Sequence, residues 1–224
     1  MVSDSGHCMK RCYLIRHAQT LWNGENRIQG RSDLPLSPLG EQQAQQLRAF
    51  FASRHLKGIF TSHLQRSQQT AQAIAAGNGH AIRPIIEEGL AEMHLGDWEG
   101  LTPEEVNGQF RGAYQQWRAA PSSVVIPNAE PLEVFRRRAR QVLSKIVATF
   151  QEGEYVVVSH GGVIASLLAD ALGADYDLVL RRLRLDNAGV TALEFGAPLP
   201  HVLWINATAH LDALSPLPSS AGWF

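Results

Sequence analysis

Five residues suited to gripping and transferring an anion follow short apolar runs at well-separated points in the sequence. Arg16 and His17 follow Cys12–Ile15, and Arg66 lies one helical turn beyond Gly58–Thr61. Glu92 follows Leu90-Ala91, and His160 follows Tyr155–Val158. Runs of this kind form buried strands of parallel sheets, whose ligands bind beyond the carboxyl ends. Two histidines, two arginines and one glutamate are thus expected to converge on one sheet edge. Alone, each has a plainer reading: a histidine at a strand end is usually structural, an arginine in a first helical turn is usually a surface charge, and Gly161-Gly162 is a weak turn signal. Together, charges at a buried edge need a common partner, and a phosphate dianion supplies one. Arginine grips it bidentately, and Gly161-Gly162 at a helix start offers backbone N–H groups to an anion. His17, His160 and Glu92 could also form a two-histidine, one-carboxylate metal triad. Arg16 beside them would repel a cation, so no metal is expected. A G-x-x-x-x-G-K-[ST] loop is absent, and so is a basic-aromatic nucleic-acid motif.

The elements that must position these residues alternate between strand and helix. Cys12–Ile15 reads as the first strand. Ser37-Pro38 reads as an N-cap with proline at the first helical position, opening a helix to about Arg54. Gly58–Thr61 is the second strand, and Ser62 with Gln65 predicts a capping box for the next helix. A third strand is expected at Ala81–Ile86, a helical region after Pro103, and a helix over Leu132–Phe150. Tyr155–Val158 precedes a helix to Leu172, and Val190–Phe195 and Val202–Ile205 complete the sheet. The expected fold is α/β: a single three-layer α/β/α domain over residues 10–212, with a mostly parallel central sheet flanked by helices. Residues 1–9 read as a loose leader, with Met9 an alternative start, and 213–224 as a flexible Pro/Ser-rich tail.

Composition narrows the function class. Acidic residues number 21 and basic ones 20, for a net charge of −1, which disfavours a polyanion binder. Of the basic residues 17 are arginine and only Lys10, Lys57 and Lys145 are lysine; a GC-rich genome explains most of that excess. Arg136, Arg137, Arg138, Arg140, Arg181, Arg182 and Arg184 read as solvated faces. No apolar stretch approaches a membrane span, and the first eight residues lack the features of a signal peptide. Cys8 and Cys12 are too few for a disulfide framework and read as free thiols in a reducing cytoplasm.

Leu14-Ile15-Arg16-His17-Ala18-Gln19-Thr20-Leu21-Trp22-Asn23 resembles the opening signature of the histidine phosphatase superfamily, the phosphoglycerate-mutase-like clan. The likeness continues through Arg27-Ile28-Gln29-Gly30 and Asp33–Ser37. Thr61-Ser62-His63-Leu64-Gln65-Arg66-Ser67 is similar to the family's second-arginine motif, and Leu90-Ala91-Glu92 with Gly96–Gly100 to its acid motif. Ser159-His160-Gly161-Gly162 is similar to its second-histidine motif, and Asn206–Leu211 to its C-terminal end. The resemblance spans about residues 10–212. It departs at Ala18, where the family has glycine and a methyl disfavours positive φ. It departs again at Pro127-Asn128-Ala129-Glu130-Pro131, where only Pro127 and Glu130 match a segment that faces substrate in relatives.

The resemblance implies a phosphomonoesterase that hydrolyses a small phosphorylated metabolite through a phosphohistidine, without cofactor or metal. His17 would be the nucleophile, Glu92 the general acid, and Arg16, Arg66 and His160 the grip on the phosphoryl oxygens. Asn23, Gln29, Gly30 and Gly161 would add contacts to substrate. Leu101–Pro131 would form a lid, on which Arg111 or Arg118 could meet a second anionic group. His63, His94, His201 and His210 fall outside the motifs, and Phe110, Tyr114 and Trp117 read as packing. The small phosphorylated substrate is the expected partner; neither nucleic acid nor membrane is, and a homodimer is compatible with the chain. The alternatives are a phosphoglycerate mutase, which the short Gly100–Pro131 stretch disfavours, and a non-catalytic phosphate-binding relative, which the intact residue set disfavours.

Overall fold

The computed structural model describes residues 9–79, 82–149, 152–196, 199–212 and 214. Apart from Met9 and Leu214, the expected leader and tail lie outside them. A six-stranded sheet carries the fold in the order β3-β2-β4-β1-β5-β6. Its strands are β1 (Lys10–Arg16), β2 (Leu56–Thr61), β3 (Ile85–Ile86), β4 (Gly153–Ser159), β5 (Val190–Phe195) and β6 (His201–Ala207). The four strands from β3 to β1 run parallel, β5 pairs antiparallel with β1, and β6 pairs antiparallel with β5.

Alternation along β1 divides the interior. Tyr13 and Ile15 join Val156, Val158 and Val190 on one face, under α2 (Pro38–Phe51) and α3 (Gln65–Gly77). Cys12 and Leu14 join Tyr155, Val157 and Leu193 on the other. That face is covered by α6 (Leu132–Thr149) and α7 (Gly161–Leu172), with Phe135, Leu143, Val163 and Leu167 directed inward. The short α1 (Leu21–Gly24) follows β1; α4 (Pro103–Gln109) and α5 (Ala113–Ala119) lie in the segment expected to form a lid, and α8 (Tyr176–Arg182) follows α7. The three-layer expectation therefore stands.

Topology places the functional residues. The chain leaves β1 for α2 and β2 on one side, and leaves β4 for α7 and β5 on the other. The adjacent carboxyl ends of β1 and β4 thus form a switch point, where diverging helices open a crevice. Arg16-His17 ends β1 and Ser159-His160 ends β4, in register at Arg16↔Ser159.

Two local expectations change. The strand expected at Ala81–Ile86 is only Ile85–Ile86, both exposed at the sheet edge. Pro84 precedes the pairing and has no N–H to extend it; Ala81 lies outside the described residues. Ser62 does not cap α3 either: the helix begins at Gln65, and its N-cap, Leu64, supplies no side-chain bond. Asp33 caps it from another loop, accepting Gln65 N–H at 2.7 Å and Gln65 Nε2–H at 3.0 Å. By contrast, Ser37 accepts Gly40 N–H at 3.1 Å with Pro38 at the start of α2, as expected.

Since Asp33 supplies a helix cap, Asp33→Ala is expected to cost about 1 kcal/mol. Thermal unfolding should register this as a fall of about 2–4 °C, and an unchanged midpoint would remove Asp33 as the cap.

Candidate active site

His17 has one ring nitrogen on a backbone carbonyl and the other facing Arg66. Its backbone N–H donates to Ser159 O at 2.9 Å, continuing the β1–β4 pairing. Nδ1 lies 2.8 Å from the carbonyl of Ala18. A carbonyl can only accept, so Nδ1 carries the proton and Nε2 keeps its lone pair. Arg66 Nε donates to that lone pair at 3.2 Å. Burial first, and the positive charges of Arg66 and Arg16 second, hold the His17 pKa well below the ordinary 6.5, so the ring is neutral. Ala18 shows no positive φ and is fully buried, with its N–H on Thr70 Oγ1 at 3.0 Å. The strain expected from replacing glycine there is absent.

Both arginines are buried beside the imidazole. Arg66, in the first turn of α3, donates Nη1 to Ser32 O and Nη2 to Gly30 O, each at 2.7 Å. Arg16 donates Nη1 to Leu185 O at 2.7 Å. Loss of water lowers both guanidinium pKa values to about 10. Gly30 therefore takes part through its carbonyl; its φ of +52° and the Glu99 side chain against its Cα leave no room for a side chain.

His160 is the N-cap residue of α7. Its Nε2 lies 2.8 Å from Ser62 Oγ and 3.4 Å from Ser67 Oγ, and its ring centroid lies 5.1 Å from that of His17. The Ser62 hydroxyl, expected to cap α3, orients this imidazole instead. Burial, then Arg66, His17 and Arg16, push the His160 pKa well below 6.5. Arg16 Nε, Gln29 Nε2 and His160 Nδ1 are buried polar atoms with no partner among the described residues. Unpartnered polar nitrogens cost free energy unless a ligand engages them. Gln29 Oε1 accepts from Thr20 Oγ1 at 2.9 Å, which leaves its amide as the open end.

Glu92 receives Met93 N–H on Oε1 at 2.8 Å and Gly162 N–H on Oε2 at 2.9 Å. The α7 start, expected to serve a substrate anion, thus gives its Gly162 N–H to the protein's own carboxylate; Gly161 is buried beside it. Burial raises the Glu92 pKa against the opposing pull of these bonds and of Arg66 and Arg138. A raised carboxyl pKa favours the protonated form that can donate to a leaving group.

Other expected residues take different parts. The half-buried Asn23 accepts on Oδ1 from Thr20 N–H at 3.0 Å and from Asn187 Nδ2 at 3.2 Å, closing the capping box of α1. Arg111 and Arg118 are exposed, outside the buried cluster. His63 and His201 are exposed as well, while His94 Nδ1 meets Asn128 O at 3.0 Å and His210 Nε2 meets Ala188 O at 3.0 Å. Arg138 is not a solvated charge: it donates to Glu130 and to the carbonyls of Gly89, Ala91 and Glu92. Among the described residues no three His, Cys, Asp or Glu side chains gather as a metal-ligand group.

Sequence patterning missed Asn187, whose Nδ2 donates to His17 O at 3.0 Å. It also missed Ala188, whose N–H reaches Arg16 O at 3.0 Å from a left-handed φ of 59°. The turn-forming Asn187-Ala188-Gly189 was the available signal.

The profile of the histidine phosphatase superfamily (branch 1) matches residues 12–208. A Yersinia enterocolitica protein named "Probable phosphoglycerate mutase GpmB" is 33% identical over 218 residues, covering 91% of this chain and 96% of that protein. YhfR of Bacillus stearothermophilus superposes with a TM-score of 0.84 at 31% identity, over 90% of this chain and 99% of that one. A mycobacterial glucosyl-3-phosphoglycerate phosphatase superposes with a TM-score of 0.80 at 28% identity, over 89% and 100% respectively. The paired arginines and histidines at the β1–β4 switch point, on a chain matched almost end to end, place this protein in the histidine phosphatase superfamily, branch 1, as an enzyme of phosphatase type.

Proposed function

We propose that this phosphatase hydrolyses a small phosphomonoester in two steps through His17. The observation that carries the reading is the His17 tautomer: Nδ1–H on the Ala18 carbonyl leaves the Nε2 lone pair as nucleophile, beside Arg66. Nε2 attacks phosphorus, a P–N bond forms and the ester P–O bond breaks. Glu92 gives its proton to the departing oxygen. Water then attacks the phosphohistidine, Glu92 takes the water proton, and inorganic phosphate leaves with the His17 lone pair restored.

Charge on the three equatorial oxygens is met by preorganised donors, the main source of catalysis in phosphoryl transfer. Arg16 Nε, His160 Nδ1 and Gln29 Nε2 are the unpartnered nitrogens suited to this. Arg66 can transfer its Nε–H from the His17 lone pair to a phosphoryl oxygen as attack begins. Two buried guanidiniums supply the positive charge a metal would otherwise bring, so hydrolysis needs no metal ion. The near-neutral net charge suits a small anion held locally rather than a polymer. The fully buried thiol of Cys12 suits a reducing, cytoplasmic setting.

A mutase reading draws on the GpmB relative. The short α4–α5 segment favours hydrolysis, because water must reach the phosphohistidine. Incubation with 3-phosphoglycerate separates the two: phosphate release is expected, and 2-phosphoglycerate formed without it would establish the mutase.

Rapid acid-free quenching during turnover should trap an acid-labile phosphoryl group on His17. His17→Ala should lack it and lose at least about 10³-fold in kcat; an acid-stable label would identify another nucleophile. Activity should also survive EDTA, whereas loss reversed by a divalent cation would contradict the metal-free scheme.

A further inference from the structure

We propose that Arg138 is a positioning residue for the general acid: it holds the backbone that aims the Glu92 carboxyl. This rests on the reading of Glu92 as acid. Among the described residues both hydrogen bonds to the Glu92 carboxylate come from backbone N–H groups, those of Met93 and Gly162. Among the described residues no side chain bonds it, so its direction follows the start of α7 and the path of residues 89–94.

Arg138 controls that path. Its guanidinium has five N–H groups, and five acceptors meet them. Nε and Nη2 grip the two carboxylate oxygens of Glu130 at 2.7 and 2.8 Å. Nη1 donates to Gly89 O at 2.9 Å and Ala91 O at 2.5 Å, and Nη2 donates to Glu92 O at 2.8 Å. Glu130 closes the clamp from the other end: its N–H donates to His94 O at 2.9 Å, and Arg31 bridges Glu130 Oε2 at 3.1 Å and Glu92 O at 3.2 Å. At Gly89 the loop presses on α6 so closely that a Cβ would meet Val142. The clamp is mostly shielded, with the Arg138 and Glu130 side chains 18% and 10% exposed. An ammonium has three donors and no planar fork, so lysine cannot reproduce it.

The test separates aim from grip by varying the leaving group. p-Nitrophenolate departs without a proton, whereas the alkoxide of β-glycerol phosphate requires one. Both are compared by kcat/KM, which excludes the later hydrolysis of phosphohistidine. Arg138→Lys and Arg138→Ala are expected to lose about 10²-fold on β-glycerol phosphate, the scale of general-acid catalysis, and less than about threefold on p-nitrophenyl phosphate. Competitive inhibition by inorganic phosphate should stay within about twofold, because Arg16, His17, Arg66 and His160 are untouched. If Arg138→Ala does not fold, Arg138→Lys and Glu130→Gln carry the measurement, with the same asymmetry expected. Equal losses on both esters, or none on the alkyl ester, would overturn the inference. Glu92→Gln is run in parallel. If it shows the asymmetry and the Arg138 variants do not, only the positioning role falls. If Glu92→Gln treats both esters alike, the acid assignment falls and the inference with it.

Discussion

Two guanidiniums, Arg16 and Arg66, lie buried beside two neutral imidazoles, and burial raises the pKa of Glu92, a carboxyl that faces them both. Uncompensated charge in a low-dielectric interior is costly unless it meets a counter-ion or a dense set of acceptors. The protein uses acceptors: carbonyls of Gly30, Ser32 and Leu185 hold the arginines in place. The remaining positive field suits an incoming dianion. Burial, with that field added, keeps His17 and His160 neutral, which suits the nucleophile and donor roles proposed for them.

That concentration of charge depends on topology. The carboxyl ends of β1 and β4 are adjacent, and the connections that follow them depart in opposite directions along the sheet, which opens a crevice between them. Each arm of the site is then secured by contacts from remote sequence. Asp33 caps the helix that carries Arg66, Ser62 orients His160, and Asn187 and Ala188 bind the carbonyls of His17 and Arg16. The acid loop is held by α6 through Arg138.

Much of this was legible in the sequence, for identifiable reasons. The buried parallel strands read as continuous apolar runs, and the charged residues at their ends stood out against them. The Ser37-Pro38 helix start is a contact between near neighbours, and it formed as patterned. Ser62 misled because its sequence neighbourhood suits a cap, whereas His160, 98 positions away, claims its hydroxyl. Arg138 misled for a related reason: within Arg136-Arg137-Arg138 nothing local marks which arginine reaches Glu130 and the Glu92 loop. Position along the helix relative to Glu130 and the acid loop decides it.

The sequence alone determined the α/β class and picked out Arg16, His17, Arg66, Glu92 and His160 as a set of residue types suited to an anion, because periodicity and residue type are local properties of the chain. Only the tertiary structure decided which nitrogen of His17 keeps its lone pair, that the Gly162 N–H goes to Glu92, and that Arg138 joins Glu130 to the backbone around Glu92. Those outcomes depend on which donor finds which acceptor across tens of residues. Hydrogen-bond partners of that kind are selected by the packed geometry of the whole chain, and no local pattern encodes them.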